Sequence, residues 1–331
     1  MQGNEMERII SYADALREAM CERMRRDERV FLMGEDVGIY GGTFGVPEGM
    51  LEEFGPDRVR DTPISENAFV GAGVGAALTG MRPIIDIMFS DFISVCFDQI
   101  VNQAAKMRFM LGKNASVPMV IRLAAGGGTG ASAQHSQSLE GLFCHIPGLK
   151  VVVPSTPYDA KGLLTSAILD DNPVLVFEQK KLYETTGPVP EGEYAIPLGV
   201  ADIKRAGKDI SIITYGRMVQ MSLKAAKRLE KEGIDAEVLD LRTLSPLDTS
   251  AVLATAKKTG RVLIAHEAVC FGGFGGELAA TIAGSDAFFS LKRPLKRLGA
   301  QFCPIPSALE IESAVLPGEE DIFSAAKELC L

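Results

Sequence analysis

A chain of 331 residues, 47% of them hydrophobic, is long enough for two domains rather than one. Its formal net charge of −9 repels phosphate backbones, so no nucleic-acid partner is expected. No stretch approaches the roughly 20 apolar residues that span a bilayer. Residues 1–8 are polar and carry no apolar signal-peptide run, so the expected setting is cytoplasmic, with no membrane partner.

In chain order, Ser11 is placed to cap a helix over residues 11–24, where Tyr12, Ala15, Leu16, Ala19, Met20 and Met24 share one face. Strands are expected at 30–33, near 59, at 83–88, 117–123, 151–153 and 174–177. Helices are expected at 68–78, 92–110 and 158–169. Strands alternating with helices imply an α/β fold with a parallel sheet covered on both faces. Residues 183–199 lose this pattern and are rich in proline and glycine, which reads as an extended connector. A second α/β unit follows, with strands at 210–214, 236–241 and 262–265 and helices at 219–229 and 277–283. The expected domains are 1–186 and 204–331, joined by a linker at 187–203.

Parallel sheets bind ligands beyond the carboxyl ends of their strands. That rule selects Glu35, the segment 62–67, residues 88–92 and the loop 125–135. Glu66 stands where a helix begins, with Ser65 as its expected N-cap; it is either a catalytic carboxylate or a simple complement to the helix dipole. The loop from Ala125 to Gln137 carries Gly126, Gly127, Gly128 and Gly130, which let the backbone approach a ligand or a partner chain. His135 within it suits hydrogen bonding or proton transfer near neutral pH, or is simply a satisfied loop histidine. Gly71, Gly73 and Gly75 lie inside a helical run and read as close helix packing rather than a dinucleotide fingerprint. The segment Gly272-Gly273-Phe274-Gly275-Gly276 is either a flexible turn or an anion site at a helix start. The sequence has no G-x-x-x-x-G-K-[ST] loop, no G-x-S-x-G elbow, and no Gly-Asp-Gly segment with a nearby asparagine pair. Six cysteines without a C-x-x-C pair, and three histidines without ligand spacing, argue against structural zinc.

Several ordered segments carry a specific resemblance. They include Gly34-Glu35-Asp36-Val37, Asp61-Thr62-Pro63-Ile64-Ser65-Glu66, Asp98-Gln99-Ile100-Val101-Asn102-Gln103, Ala133-Gln134-His135-Ser136-Gln137 and Pro147-Gly148-Leu149-Lys150-Val151-Val152. With Asp240-Leu241-Arg242-Thr243-Leu244-Ser245-Pro246, the chain resembles over nearly its whole length the beta subunit of the thiamine-diphosphate-dependent decarboxylating component of 2-oxoacid dehydrogenase complexes, pyruvate and acetoin dehydrogenases included. The resemblance implies a thiamine-diphosphate-fold pyrimidine-binding domain with a parallel sheet, followed by a transketolase C-terminal-like α/β domain.

It also implies roles for particular residues. The glutamate matching Glu66 hydrogen-bonds the aminopyrimidine ring of thiamine diphosphate, which requires a poorly solvated carboxyl. Phe92 matches an aromatic beside that ring, Glu35 stands at a matching strand end, and His135 matches a histidine that orients the substrate or an incoming lipoyl group. The family's magnesium and diphosphate motif resides on an alpha subunit, in keeping with its absence here. The expected assembly is therefore an α2β2 heterotetramer that delivers an acyl group to a dihydrolipoyl acyltransferase core. A structural potassium ion in this family would fall on Met119, Ala167, Asp170 and Asn172. Asp91-Phe92-Ile93 and residues 153–158 resemble the acetoin branch slightly more than the pyruvate branch. A split transketolase-like enzyme, or a non-catalytic subunit that docks the acyltransferase core, are the alternatives.

Overall fold

The computed structural model describes residues 8–112 and 114–331; residues 1–7, most of the polar segment read above, lie outside them. The chain forms two compact units. The first takes in the chain up to Ala124, Ile146–Glu178 and Leu182–Leu198; the second takes in Ala125–His145, Gln179–Lys181 and Gly199–Leu331. The glycine-rich loop and its histidine thus cluster with the C-terminal residues, although their sequence position lies well before the connector.

The first unit begins with β1 (Ile9–Ser11) and α1 (Tyr12–Arg26). The Ser11 hydroxyl accepts from the Asp14 N–H at 3.0 Å, and the expected apolar face of α1 is buried. There follow β2 (Val30–Gly34), α2 (Met50–Phe54), β3 (Val59–Asp61), α3 (Glu66–Leu78), β4 (Arg82–Ile87), α4 (Ala105–Leu111) and β5 (Val120–Ala125). After α5 (Glu140–Cys144), which belongs to the second unit, come β6 (Lys150–Val152), α6 (Pro157–Leu169), β7 (Val174–Gln179) and β8 (Thr186–Pro188). The strands lie in the order β6-β7-β5-β4-β2-β3, and β2, β4 and β7 are buried along their whole length. Parallel pairing sets Val30 against Arg82, Leu32 against Val59 and Ile84 against Val120. Helix α1 packs on α6 through small and apolar residues, with one exception. The Lys161 ammonium of α6 is fully buried and donates to Glu18 at 2.8 Å and Glu22 at 3.0 Å, both on α1.

Two expected features take another form. Residues 92–110 are not one helix: a 3₁₀ turn (Ser90–Ser94) and a π-helical turn (Gln99–Ala104) precede α4. The wider turn sets Gln99 against α3, where a Cβ at Gly71 would stand 3.1 Å from its side-chain oxygen. A Cβ at Gly73 would come within 2.8 Å of Ile85, so those two glycines serve close packing as expected. The connector is also structured. β8 pairs antiparallel with β1, Ile196 donates to the Gly162 carbonyl at 3.0 Å, and Tyr194 stacks on Tyr158 at 4.8 Å. Gly162 permits that strap, because a Cβ there would meet Ile196 at 2.5 Å.

The second unit contains β9 (Asp202–Arg205), β10 (Ile210–Thr214), α7 (Arg217–Lys231), β11 (Ala236–Asp240), β12 (Thr243–Ser245), α8 (Thr249–Thr259), β13 (Val262–Val269), α9 (Gly275–Ala283), β14 (Lys296–Ala300), α10 (Leu309–Val315) and α11 (Glu319–Cys330). Its sheet order is β14-β13-β10-β11-β9, with β9 antiparallel to β11. Period-two alternation divides β10 between two helix layers. Ile210 and Ile212 join the core with Met218, Leu229, Ile322 and Leu329 of α7 and α11. Ser211 points the other way, to Thr255 and Thr259 of α8. No helix among the described residues is long and apolar enough to cross a membrane.

The first unit's sheet encloses a buried charge. Arg122 on β5 is 2% exposed and donates to Asp86 of β4 at 2.6 Å and twice to Glu178 of β7 at 2.8 Å, while the Tyr183 hydroxyl donates to Glu178 at 3.0 Å. Removing the guanidinium alone would leave two buried carboxyls without their shared partner. Replacing Arg122 with Met should destabilise the protein by about 3–5 kcal/mol. Chemical denaturation compared with the parent checks this, and a loss below about 1 kcal/mol would show that the network is not structurally required.

Candidate functional site

The expected ligand-binding edge of the first unit gathers three of the sequence candidates. β4, β2 and β3 are neighbours, and Phe92, Glu35 and Glu66 each follow the carboxyl end of one of them. Thr62 N–H donates to the Gly34 carbonyl at 2.9 Å, tying the end of β3 to the end of β2. Asp61 accepts from Gly38 N–H at 2.6 Å and Ile39 N–H at 3.2 Å, which fixes the loop after Glu35.

Glu66 is the first residue of α3 and is 6% exposed. Ser65 precedes it, but its side chain makes no capping hydrogen bond. Its backbone N–H instead offsets part of the rise in the Glu35 carboxyl. Burial pushes the Glu35 carboxyl above its ordinary range, and the nearby Glu66 charge pushes the same way. Burial, with Glu66 again contributing, raises the Cys96 thiol to about 12, so this inert thiol belongs to the surroundings of Glu66. Phe92 is half-buried in the 3₁₀ turn between β4 and Cys96. Glu35 Oε1 and Thr62 Oγ1 are buried without a hydrogen-bond partner among the described residues. Two orphaned buried polar atoms at one strand edge are available to a polar ligand there. Thr62 opens the segment 62–67 selected from the sequence; Cys96 could not have been singled out by residue type, and only the turns after β4 bring it in.

His135 lies on the glycine-rich loop of the second unit, and the structure shows what that loop's glycines do. Gly127 N–H donates to Glu267 at 2.7 Å, and Gly128 and Gly130 N–H donate to the two oxygens of Glu312 at 2.8 Å each. Both carboxylates are almost wholly buried, and Glu267 also pairs with Arg217 at 3.2 Å. These N–H groups therefore hold internal carboxylates. A Cβ at Gly126 would stand 2.5 Å from Glu267 and one at Gly127 2.7 Å from Leu316, so the loop needs glycine to lie this close. His135 is half-buried, its N–H donates to Ser132 at 3.2 Å, and its carbonyl accepts from Lys180. Glu267 and Glu312 stand more than a hundred residues from the loop, and sequence reasoning did not select them.

The four residues matched to potassium surround the end of α6 and the starts of β5 and β7. Met119 carbonyl accepts from Val174 N–H at 3.0 Å, Ala167 carbonyl from Asp170 N–H at 3.3 Å, and Asp170 carbonyl from the Arg82 guanidinium at 2.8 Å. The Asn172 side-chain oxygen accepts from Arg108 at 2.6 Å. A guanidinium thus already stands at one of these carbonyls. No cluster of three or more His, Cys, Asp or Glu suited to a metal occurs among the described residues. The Gly272 to Gly276 segment leads into α9, where a Cβ at Gly275 would meet His266 at 2.5 Å. Glu277 in the first turn of α9 opposes an anion there, which favours the turn reading.

Beyond the loop, Glu140 opens α5 fully buried and accepts from the Tyr215 hydroxyl at 2.8 Å. Burial raises its carboxyl from the ordinary 4.5 to about 7. A raised value means that the folded form prefers the protonated state. Its stabilisation is complete below the unfolded value and is lost as pH rises from about 4.5 to about 7. Glu140→Gln should keep the Tyr215 contact and remove this slope. Melting temperatures across that window check it: equal slopes for parent and variant would place the ionisation elsewhere.

The family model described as the transketolase pyrimidine-binding domain matches residues 8–186, and that of the transketolase C-terminal domain matches residues 199–322. The chain is 48% identical to the acetoin:2,6-dichlorophenolindophenol oxidoreductase subunit beta of Bacillus subtilis (strain 168), over 98% of each chain. It is 47% identical to the 2-oxoisovalerate dehydrogenase subunit beta of the same organism, over 97% of this chain and 98% of the relative. It is 46% identical to that organism's pyruvate dehydrogenase E1 component subunit beta, over 95% and 97%. Among solved structures, a split-gene transketolase described as an inactive beta4 tetramer matches with TM-score 0.79 and 22% identity, over 97% of this chain and 98% of that one, a likeness of fold. The chain belongs to the transketolase-like family of dehydrogenase beta subunits that includes those named for pyruvate and acetoin dehydrogenases.

Proposed function

We propose that this chain is the beta subunit of a heteromeric thiamine-diphosphate-dependent dehydrogenase that cleaves a small carbonyl substrate, acetoin ahead of pyruvate, and passes the acyl group to lipoamide. The observation that carries the reading is Glu66, nearly buried at the head of α3, beside Glu35 and Thr62 with their unpartnered buried oxygens. When bound, thiamine diphosphate supplies the carbon nucleophile and the electron sink for cleavage beside a carbonyl. This chain's residues fit the ring end of that cofactor. Glu66 offers a carboxyl withdrawn from water for a hydrogen bond to a ring nitrogen, where the low local dielectric strengthens it. Burial and the charge of neighbouring Glu66 raise the Glu35 carboxyl, which makes it a second candidate for a hydrogen bond to the ring end. Phe92 supplies an apolar wall.

His135 is proposed to orient the substrate or the incoming lipoyl group. The glycine loop cannot serve as the diphosphate cradle while Glu267 and Glu312 hold its N–H groups. As the resemblance implies, magnesium and diphosphate binding are assigned to an alpha subunit, in an α2β2 assembly that serves a dihydrolipoyl acyltransferase core. A potassium ion at Met119, Ala167, Asp170 and Asn172 would have to share the Asp170 carbonyl with Arg82. The acetoin preference rests on Asp91-Phe92-Ile93 and residues 153–158; the relatives named for three different substrates, 46–48% identical, do not rank them.

The test is co-expression with the alpha chain, followed by thiamine-diphosphate-dependent reduction of an artificial electron acceptor with acetoin, pyruvate and 2-oxoisovalerate in turn. Acetoin should give the highest kcat/KM. Glu66→Gln should lower turnover by about 10²–10⁴-fold with assembly by size-exclusion chromatography unchanged. Unchanged turnover in that variant would favour the non-catalytic docking subunit.

A further inference from the structure

The second unit contains a cavity of about 370 Å³ that the reading above does not use. Val269, Ala300, Ile305 and Leu316, part of a small apolar cluster of their own, form much of its wall. Ser136 also lines it, 1% exposed, and its hydroxyl has no hydrogen-bond partner among the described residues. Glu267 forms another part of the wall, its oxygens already engaged by Gly127 N–H and Arg217. At the rim stands Phe302, 76% exposed and set edge-to-face against exposed Phe271 at 5.5 Å.

We propose that this cavity binds a neutral, mostly apolar small molecule bearing one hydroxyl, carbonyl or amide group. Three observations narrow the class. The volume falls in the range of small-ligand pockets. A buried orphan hydroxyl is costly, and a ligand's single polar group at Ser136 recovers that cost. Because Arg217 already balances Glu267, the wall offers no unpaired charge, so an anionic or a cationic head group would lose its hydration without gaining a partner. Occupancy has a structural consequence: Ala133, Ser136 and Gln137, which flank His135, share the lining with Ala300 and Ile305, so a bound molecule would join that loop to them.

The test is isothermal titration of the full chain, alone and assembled with its alpha partner, with 1-octanol as probe and octanoate as its anionic counterpart. The expected result is saturable octanol binding in both preparations, with octanoate at least about tenfold weaker. Ser136→Ala should weaken octanol about five- to tenfold, the worth of one hydrogen bond, without lowering the melting temperature. Ala133→Phe, on the half-exposed loop, should abolish binding by filling the cavity. Equal binding of octanol and octanoate, or full octanol affinity in Ser136→Ala or Ala133→Phe, would overturn the proposal. Loss of octanol binding on assembly would also overturn it, by making a partner side chain the occupant.

Discussion

The buried Arg122 guanidinium is the constraint on which the first unit rests. A guanidinium cannot be deprotonated at any working pH, so its burial demands anionic partners within hydrogen-bond reach. Asp86 and Glu178 supply them from the strands on either side, β4 and β7. Two carboxyls facing one guanidinium leave one negative charge in excess. Burial pushes both carboxyls upward, so the network favours retaining a proton. Bidentate geometry at Glu178 fixes the relative position of β5 and β7, and the Asp86 bond fixes β4. β4 in turn pairs with β2, and β2 with β3, the strands that end at Glu35 and Glu66. A one-residue slip anywhere in this series would turn the network's side chains to the other face and move the candidate site with them.

The second unit meets a similar demand in reverse. A glycine-rich loop exposes backbone N–H groups that need acceptors when they are buried. Glu267 at the end of β13 and Glu312 on α10 supply them, and Arg217 at the head of α7 balances Glu267. The loop is thereby given one shape by residues remote in sequence. Such a loop carries His135 at a defined position, which a freely moving glycine segment could not do.

This contrast explains what the sequence disclosed. The α/β class, most strands and helices α1, α3, α6 and α7 were legible because burial on both faces produces unbroken apolar runs, and because α1 carries its cap and its apolar stripe in full. Glu66 was legible as a carboxylate at a strand-to-helix junction. The π-helical turn was not, because Phe92 to Met110 has ordinary helical composition and the widening answers a tertiary contact between Gln99 and Gly71. The connector's β8 was hidden by its own proline and glycine, since pairing with β1 needs only three residues. Helices α8 and α11 were passed over, although Asp248 caps the first through its side chain. Glu267 and Glu312 stayed hidden because nothing local distinguishes an acid that serves a distant loop from one that faces water.

The same electrostatics bear on why the proposed function needs a second chain. The ends of β2 and β3 gather Glu35, Asp36, Asp61 and Glu66, and the backbone donors there are partly committed to those acids, as Gly38 and Ile39 are to Asp61. Such a place suits the hydrogen-bonding edge of a ring nitrogen and repels a diphosphate. A cofactor with a neutral ring at one end and a diphosphate at the other therefore meets opposite requirements at its two ends. In the proposed function this chain's residues answer the first, and the acids that hold its glycine loop close one route to the second. Dividing the cofactor between two chains separates the carboxylates from the phosphates, and it is this separation, rather than any missing motif taken alone, that makes a half-site chemically sensible.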